Sequence, residues 1–218
     1  MSDLPIDPFK ADAALLFVDG QLYFQSNASG QTTVKAVAHS DVRAAFSQNE
    51  IDTGWLHPSV RRMGENCHGP WFVSLWEPEL HKLNLGPGYD EIEVPLPMML
   101  FVGIGRKYYV WALQRLRINL NSNLYYAPLP NVHDGGQICW GQNEPPLAEP
   151  RNAEKNWHFF LGAQFNGDLC KGKSLAHQAD IRKQLVACTG LKRYPIKDLV
   201  KSRSQLGWWV DSTIRQGG

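Results

Sequence analysis

The segment PLPNVHDGGQICWG, residues 128–141, combines a cysteine with an asparagine in a turn-rich loop. Cys139 lies eight positions after Asn131, and Gly135 and Gly136 lie between them. A thiolate is the strongest side-chain nucleophile at neutral pH, and an amide donor beside it can stabilise the oxyanion that forms when a carbonyl carbon is attacked. The residue types and their spacing therefore favour acyl chemistry on Cys139. Asn131 would stabilise the oxyanion or order the loop through side-chain to backbone hydrogen bonds.

A buried structural cysteine is the plainest alternative, because Ile138 and Trp140 flank Cys139 with apolar side chains. Two adjacent glycines favour the nucleophile instead, since they let the chain pass close to a bulky partner. The cysteines have no C-x-x-C pair and no regular spacing, so neither a zinc site nor a disulfide framework is predicted. We expect no metal and no cofactor. The cysteines are Cys67, Cys139, Cys170 and Cys188, the last of which is expected in the core.

The composition is that of an ordinary soluble protein. The chain has 218 residues, of which 43% are hydrophobic, and its 22 basic and 21 acidic side chains leave a formal charge of +1. A balance this close to neutral does not recruit nucleic acid or an anionic membrane through bulk charge. The N-terminal sequence lacks the basic region of a signal peptide, and its apolar run AALLFV is too short to span a membrane. We therefore expect a cytoplasmic protein with free thiols.

Strand signals dominate the chain up to Cys139. ALLFVDGQLYFQS predicts a β-hairpin that turns at Asp19-Gly20, and TTVKAVAHS predicts the next strand. Further strands are predicted in PWFVSLWEP and in PLPMMLFVGIGRKYYVWALQ, which Gly103-Ile104-Gly105 divides into a second hairpin. LYYAPLPNV predicts the last strand. Residues 41–49 predict a short helix, whereas the stretch up to Asn66 has no clear period.

Helix signals follow the cysteine. AEKNWHFFLGA places Trp157, Phe160 and Leu161 on one side at helical spacing. HQADIRKQLVACTG predicts a second helix with Gly190 as its C-cap, and YPIKDLVKS predicts a short third one. Strands followed by helices indicate the α+β class, with an antiparallel sheet backed by helices on one face. The β-α-β alternation of nucleotide-binding sheets is missing from this pattern.

The Cys139 segment resembles the active-site segment of ubiquitin-conjugating enzymes, the E2 superfamily. That family's pattern runs His-Pro-Asn, an aliphatic residue, a short turn with glycine, and an aliphatic residue before Cys and Leu. Leu129 stands where the family has His, and Trp140 stands where it has Leu. Because the family's His mainly supports the loop, its replacement concerns loop geometry more than chemistry. The residues that match at the same spacing are Pro130, Asn131, Val132, Gly136, Ile138 and Cys139.

A closer resemblance is strong in the C-terminal half and weak in the N-terminal hairpin. The chain resembles prokaryotic E2 family D, including the B proteins of bacterial PRTRC gene systems, in LPMMLFVGIGRKYYVWA, LYYAPLPNV, ICWG, FFLGAQFN and YPIKDLV. Related E2-like proteins occur in operons that also encode a ubiquitin-like modifier, an E1 and a peptidase, and some of these operons are antiphage defence systems. The resemblance implies a UBC (E2)-like fold: an antiparallel β-meander followed by C-terminal helices, with an extra N-terminal β-rich segment.

The resemblance also implies roles for individual residues. Cys139 would accept the carboxyl terminus of a ubiquitin-like modifier from an E1 as a thioester and then lose it to an amine of a target protein. Asn131 would stabilise the oxyanion of that second step. In the superfamily an acidic side chain near the thioester orients the amine, and related bacterial proteins often carry a histidine after the cysteine. The candidates for this role are Asp168, His158, His133, Asp134 and Glu144.

Two alternatives stay open. A non-catalytic E2-like module would dock the modifier or the E1 and keep Cys139 as a structural residue. A cysteine hydrolase would cleave the modifier, but the motif has no clearly paired histidine and acid. For the conjugating enzyme we expect an N-terminal β-rich segment over 1–90 that completes or extends the sheet, an E2-like catalytic core over 91–205, and a C-terminal tail over 206–218.

Overall fold

A computed structural model describes residues 12–27, 31–46, 54–115, 117 and 119–217. The chain divides into two compact units, residues 1–52 and residues 53–218. The division therefore falls earlier than the boundary after residue 90 that we expected. The end of the helix predicted over 41–49 lies outside the described residues.

The first unit contains a three-stranded antiparallel sheet of β1 (Ala13–Val18), β2 (Gln21–Ser26) and β3 (Thr33–Val37), in that order. Asp19 and Gly20 form the tight turn between β1 and β2, and both have a positive φ, as a two-residue hairpin turn requires. Helix α1 (His39–Phe46) follows. The predicted N-terminal hairpin and the strand after it are confirmed.

The second unit is built on a six-stranded antiparallel sheet in the order β11-β10-β9-β8-β5-β4. A separate two-stranded ribbon, β6 with β7, lies in the chain between β5 and β8. The strands of this unit are β4 (Val60–Asn66), β5 (Gly69–Trp76), β6 (Leu80–Asn84), β7 (Glu91–Pro95), β8 (Met98–Ile104), β9 (Lys107–Leu113), β10 (Asn123–Tyr126) and β11 (Lys201–Gln205). Its helices are α2 (Ala153–Leu161), α3 (Ile181–Ala187) and α4 (Leu206–Gln216). The expected combination of antiparallel sheets with helices is confirmed.

Helices cover both faces of this sheet, so the prediction of helices on one face only is wrong. Consecutive residues of a strand point to opposite faces. Phe101 belongs to the same buried cluster as Trp157 of α2 and Leu185 of α3, whereas Val102 belongs to a second cluster with Trp209 of α4. All seven residues of β8 are buried. Continuous apolar runs such as MMLFVGI are typical of strands that are buried on both sides, which is the feature of the sequence that indicates two covered faces.

The C-terminal elements differ from two sequence predictions. Helix α3 ends at Ala187 and is capped by Cys188, so Gly190 is not its C-cap. The short helix predicted in YPIKDLVKS is present only as a three-residue 3-10 helix at Ile196–Asp198, and its last residues, Lys201 and Ser202, begin β11 instead. Residues 201–205 become a strand because they complete the sheet beside β10, a pairing that depends on residues far apart in sequence.

Residues 206–216, which we expected to be a tail, form helix α4. Its buried apolar residues Leu206, Trp209, Val210 and Ile214 recur at helical spacing and pack against the sheet. Strands β4 and β5 come before residue 90 and extend the sheet from its other edge. The unit that contains Cys139 therefore includes β4 and β5 before the expected core and α4 after it.

Candidate active site around Cys139

Cys139 ends a short β-hairpin that begins at Asn131. Val132 and Ile138 form an antiparallel bridge within it. The amide of Cys139 donates to the carbonyl of Asn131 at 2.7 Å and closes the hairpin. The two residues that the sequence singles out are thus joined directly through their backbones. The side chain of Cys139 is exposed, which is unlike a buried structural cysteine.

The hairpin is fixed to the central sheet. The amide of Val110 on β9 donates to the carbonyl of Gly136, and the amide of Ile138 donates to the carbonyl of Tyr108, both at 2.8 Å. Strand β10 pairs with the other half of β9, so residues 136–138 continue the sheet where β10 leaves off. Cys139 is the next residue, so the hydrogen bonds between this segment and β9 fix the position of its backbone.

Gly136 is required by packing against Trp111. It is buried and has a φ of +83°, and a Cβ atom at this position would overlap the indole ring. We expected Gly135 and Gly136 to leave room for a partner, and this interpretation is wrong for Gly136, because Trp111 fills the space. A Cβ at Gly135 would meet nothing within 4 Å.

The side chain of Asn131 joins the hairpin to residues 164–168. Its Nδ2 donates to the carbonyl of Gln164 at 3.3 Å, and its Oδ1 accepts from the amide of Asn166 at 3.5 Å. Its backbone has a φ of +57°, a left-handed conformation that asparagine tolerates better than most residues. These contacts support the loop-ordering role. Nδ2 carries two hydrogens, so the oxyanion role is compatible with this geometry and stays a prediction.

Residues 164–168 are themselves anchored to the core. Phe165 is completely buried, and its amide donates to the carbonyl of Asn84 at the end of β6 (2.8 Å). Asp168 is exposed, and its carboxylate accepts from Nδ2 of Asn166 at 2.9 Å. The carbonyl of Asp168 accepts from the amide of Asn131 at 3.4 Å. Asp168 is therefore a candidate acid whose peptide group touches the asparagine of the site.

Trp140, which follows the cysteine, lies in an aromatic cluster. Its ring stacks on Phe159 of α2 with centroids 5.5 Å apart and meets the edge of Tyr108 at 5.4 Å. Phe159 is 45% exposed, so the cluster reaches the surface near Cys139. Leu129, at the position where E2 enzymes have histidine, is fully buried in the core.

Lys173 is the residue of this site that sequence reasoning missed. Its side chain is only 2% exposed, and its Nζ donates to the carbonyls of Leu129 and Val132, on either side of Asn131. Burial lowers the pKa of Lys173 to about 8, while the negative charges of the Asp134 carboxylate and of ionised Cys170 act in the opposite direction. The sequence carries little signal for this contact, because 34 positions separate Lys173 from Cys139.

The remaining acid and base candidates are scattered. His133 and Asp134 lie exposed in the turn of the hairpin. Glu144 forms a 3.0 Å ion pair with Arg106. His158 lies on α2 with its ring 6.2 Å from that of Trp76, in a pocket that His57 also lines. Their participation stays a prediction, and among the candidates only Asp168 is hydrogen-bonded to Asn131.

The other cysteines have different surroundings. Burial raises the pKa of the Cys170 and Cys188 thiols to about 11, which favours the neutral thiol over the nucleophilic thiolate. The prediction of Cys188 as a core residue is confirmed. Cys67 is exposed in the turn between β4 and β5. Within the described ranges, no group of three or more side chains is arranged to hold a metal ion, and no helix is long and apolar enough to span a membrane.

Comparison with known proteins agrees with this picture. A family model described as prokaryotic E2 family D matches residues 33–202. This range includes the complete Cys139 hairpin, residues 164–168 and Lys173. No curated protein and no solved structure matches the chain significantly. The chain is therefore an E2-like protein of the bacterial type, and it belongs to prokaryotic E2 family D.

Proposed function

We propose that this chain is an E2-like conjugating enzyme with a UBC-like fold, which carries a ubiquitin-like modifier on Cys139. In the loading step, Sγ of Cys139 attacks the carbonyl carbon of the E1-bound thioester, and the E1 sulfur leaves as thiolate. In the transfer step, an amine of a target protein attacks the new thioester, an amide bond forms, and Cys139 leaves as thiolate. The proton lost by the amine passes to a base or to water.

One observation carries the proposal: an exposed cysteine is held by a 2.7 Å backbone hydrogen bond beside an asparagine whose amide is already ordered. A thiol that must meet two large partners in turn has to be accessible, and a reacting carbonyl needs a donor in a fixed position. Asp168, attached to the same asparagine through its carbonyl, is the acid that we propose for orienting the amine. The proposed partners are an E1, a ubiquitin-like modifier and a protein substrate in the reducing cytoplasm, and the proposed setting is a bacterial antiphage system.

The test is a loading assay with the E1 and the modifier from the same gene neighbourhood. The chain, E1, modifier and ATP are mixed and separated on a gel without reductant. We expect a shifted band that thiol removes and that Cys139→Ala abolishes. Cys139→Ser should give an adduct that resists thiol, because an oxygen ester exchanges with thiols far more slowly than a thioester.

Cys67→Ala is the matched control, since Cys67 is the other exposed cysteine. It should load as the parent chain does. A stable complex without a covalent adduct would instead favour the non-catalytic docking module. Cleavage of a modifier precursor by this chain alone would favour the cysteine hydrolase.

A further inference from the structure

The amine of Lys173 lies beneath the loop that leads to Cys139. Its Nζ donates to the carbonyl of Leu129 at 2.7 Å and to that of Val132 at 2.5 Å. Both of these hydrogen bonds end on backbone carbonyls and not on a carboxylate. We call this arrangement of Lys173, Leu129 and Val132 the lysine clamp.

The clamp holds the backbone on both sides of Asn131. A left-handed φ costs a non-glycine residue free energy and persists only where the surroundings enforce it. Fixing the carbonyls of residues 129 and 132 restricts the peptide groups that lead into and out of this conformation. The carbonyl of Asn131 in turn accepts from the amide of Cys139. Lys173 therefore holds the residues on both sides of Asn131, and Asn131 holds the backbone of Cys139.

The lysine side chain is costly where it lies. Removing an ammonium group from water favours its neutral form, and the lowered pKa of Lys173 reflects this burial. A buried apolar side chain would avoid that cost but would leave two buried carbonyls without a donor. Leu129 fills the position of the family's supporting histidine with an apolar side chain, so the donor comes from another part of the chain.

The segment that carries Lys173 is itself held in place. The next residue, Ser174, donates its hydroxyl to Oδ1 of Asp198 at 3.0 Å, and the amide of Ala176 donates to the same oxygen at 2.8 Å. The hydroxyl of Tyr194 donates to the other carboxylate oxygen at 3.3 Å. Asp198 and Ser174 are both buried. The position of the amine is thus set by a network that does not include Cys139.

We propose that Lys173 is a positioning residue for acyl transfer, which fixes the Asn131 loop over Cys139 without contacting the acyl group. This inference rests on the proposed function. It assigns to a buried lysine the support of the loop that the family's histidine gives in other E2 enzymes. It also predicts that the transfer step depends on Lys173 more than the loading step does.

The experiment compares Lys173→Met with Lys171→Met, a control at an exposed lysine two positions away. Methionine keeps most of the side-chain volume but has no donor. We expect the amide of Cys139 to exchange hydrogen about tenfold faster in Lys173→Met, with no change at Phe101 in β8. We also expect discharge of the loaded thioester to free lysine to slow by about tenfold, while loading by the E1 stays within about threefold. Lys171→Met should match the parent chain in both assays.

Several outcomes would overturn the inference. Parental exchange at Cys139 would show that the clamp does not order the loop. Equal losses in loading and discharge, in proportion to the unfolded fraction, would show a purely structural role. If the parent chain forms no thioester, the proposed function fails, whereas the exchange measurement still decides whether Lys173 orders the loop. If Lys173→Met does not fold, Lys173→Gln, which has a neutral amide on a shorter chain, is tested for the same separation of discharge from loading.

Discussion

Two turns of this protein contain the same three kinds of residue in different settings. Each has an exposed cysteine, Cys67 or Cys139. Each has an asparagine whose amide bonds to another segment: Nδ2 of Asn66 donates to the carbonyl of Ile214 at 2.9 Å, as Nδ2 of Asn131 does to that of Gln164 at 3.3 Å. Each also has a glycine with a positive φ, at residue 69 or 136. Exposure, asparagine and glycine therefore do not by themselves distinguish a reactive site.

The backbone distinguishes the two turns. Asn66 is the last residue of β4 and pairs with Gly69 in an ordinary hairpin. Asn131 has a left-handed backbone, and its carbonyl accepts a hydrogen bond from the amide of Cys139. It also lies between the two carbonyls to which Lys173 donates. The comparison teaches that the proposed nucleophile is defined by how firmly its loop is held. The following substitutions test this difference.

Gly136→Ala should have the largest effect on stability. The new Cβ would overlap the Trp111 ring in a left-handed backbone, and we expect the free energy of unfolding to fall by about 3 kcal/mol. Gly69→Ala should lose only about 1 kcal/mol, because its Cβ would meet Gly105 at an ordinary 3.5 Å. Urea unfolding of both variants measures the difference. Equal losses would mean that the Cys139 turn is no more tightly packed than the Cys67 turn.

Lys173 should make stability depend on pH in a defined window. Its pKa falls from 10.5 to about 8 on folding, so between these pH values the unfolded chain binds a proton that the folded chain does not, and stability rises with pH. The full change corresponds to about 3 kcal/mol. This added stability should be fully present above pH 10.5 and should be lost as pH falls through 8. Lys173→Met should not show this pH dependence.

Urea unfolding at pH 7.5 and 10.5 measures this change as the difference between the parent chain and Lys173→Met. The groups that interact with Lys173 electrostatically are Cys170 and Asp134. Cys170 in turn interacts with Asp180 and Arg182. The raised pKa of Cys170 makes stability fall as pH rises, which opposes the effect of Lys173. The comparison is therefore repeated in a Cys170→Ala background, with and without Lys173→Met. An unchanged difference across the window would mean that the amine is not buried in solution.

Asn131→Ala should slow discharge of the loaded thioester by about 10²-fold, the usual cost of losing one oxyanion donor. Loading should change much less. Asn66→Ala removes the corresponding amide of the other turn and should leave both steps at the parental rate. A single-turnover assay with free lysine gives the two rates. Normal discharge in Asn131→Ala would restrict this residue to loop order and leave the oxyanion without a donor.

Asp168→Ala should have the smallest effect, a roughly threefold to tenfold slower discharge, because an acid that orients an amine contributes less than an oxyanion donor. His158→Ala tests the competing candidate on α2, and because His158 has no contact with Asn131 we expect it to change discharge by less than about twofold. The same single-turnover assay applies. If His158→Ala is the slower of the two, the base lies in the pocket beside Trp76 and not beside Asn131.

Much of the fold follows from local patterns in the sequence. The Asp19-Gly20 hairpin and the β8–β9 hairpin were predictable because a two-residue period and a turn residue are local features. The turn of the second hairpin lies at Gly105 and Arg106, slightly later than predicted. Helix α4 lies where we predicted a tail, although Leu206, Trp209, Val210 and Ile214 have the helical spacing that would have indicated it.

Other features depend on partners distant in sequence. Residues 201–205 have no strand-like apolar alternation, and they form β11 because β10 offers a free edge. The covering of both sheet faces depends on α4 packing behind β8 and β9. Local propensity cannot predict such choices, since the deciding contacts join segments that are not neighbours along the chain.

The sequence by itself determined the features on which the proposed chemistry rests: the identity of Cys139, its spacing from Asn131, and the family to which both point. Tertiary structure decided which groups support that chemistry. It exposed Cys139, filled the space at Gly136 with Trp111, attached Asp168 to Asn131, and placed Lys173 under the loop. The physical reason is that a nucleophile is a property of one side chain, whereas its orientation is a property of the hydrogen bonds and packing that only the folded chain brings together.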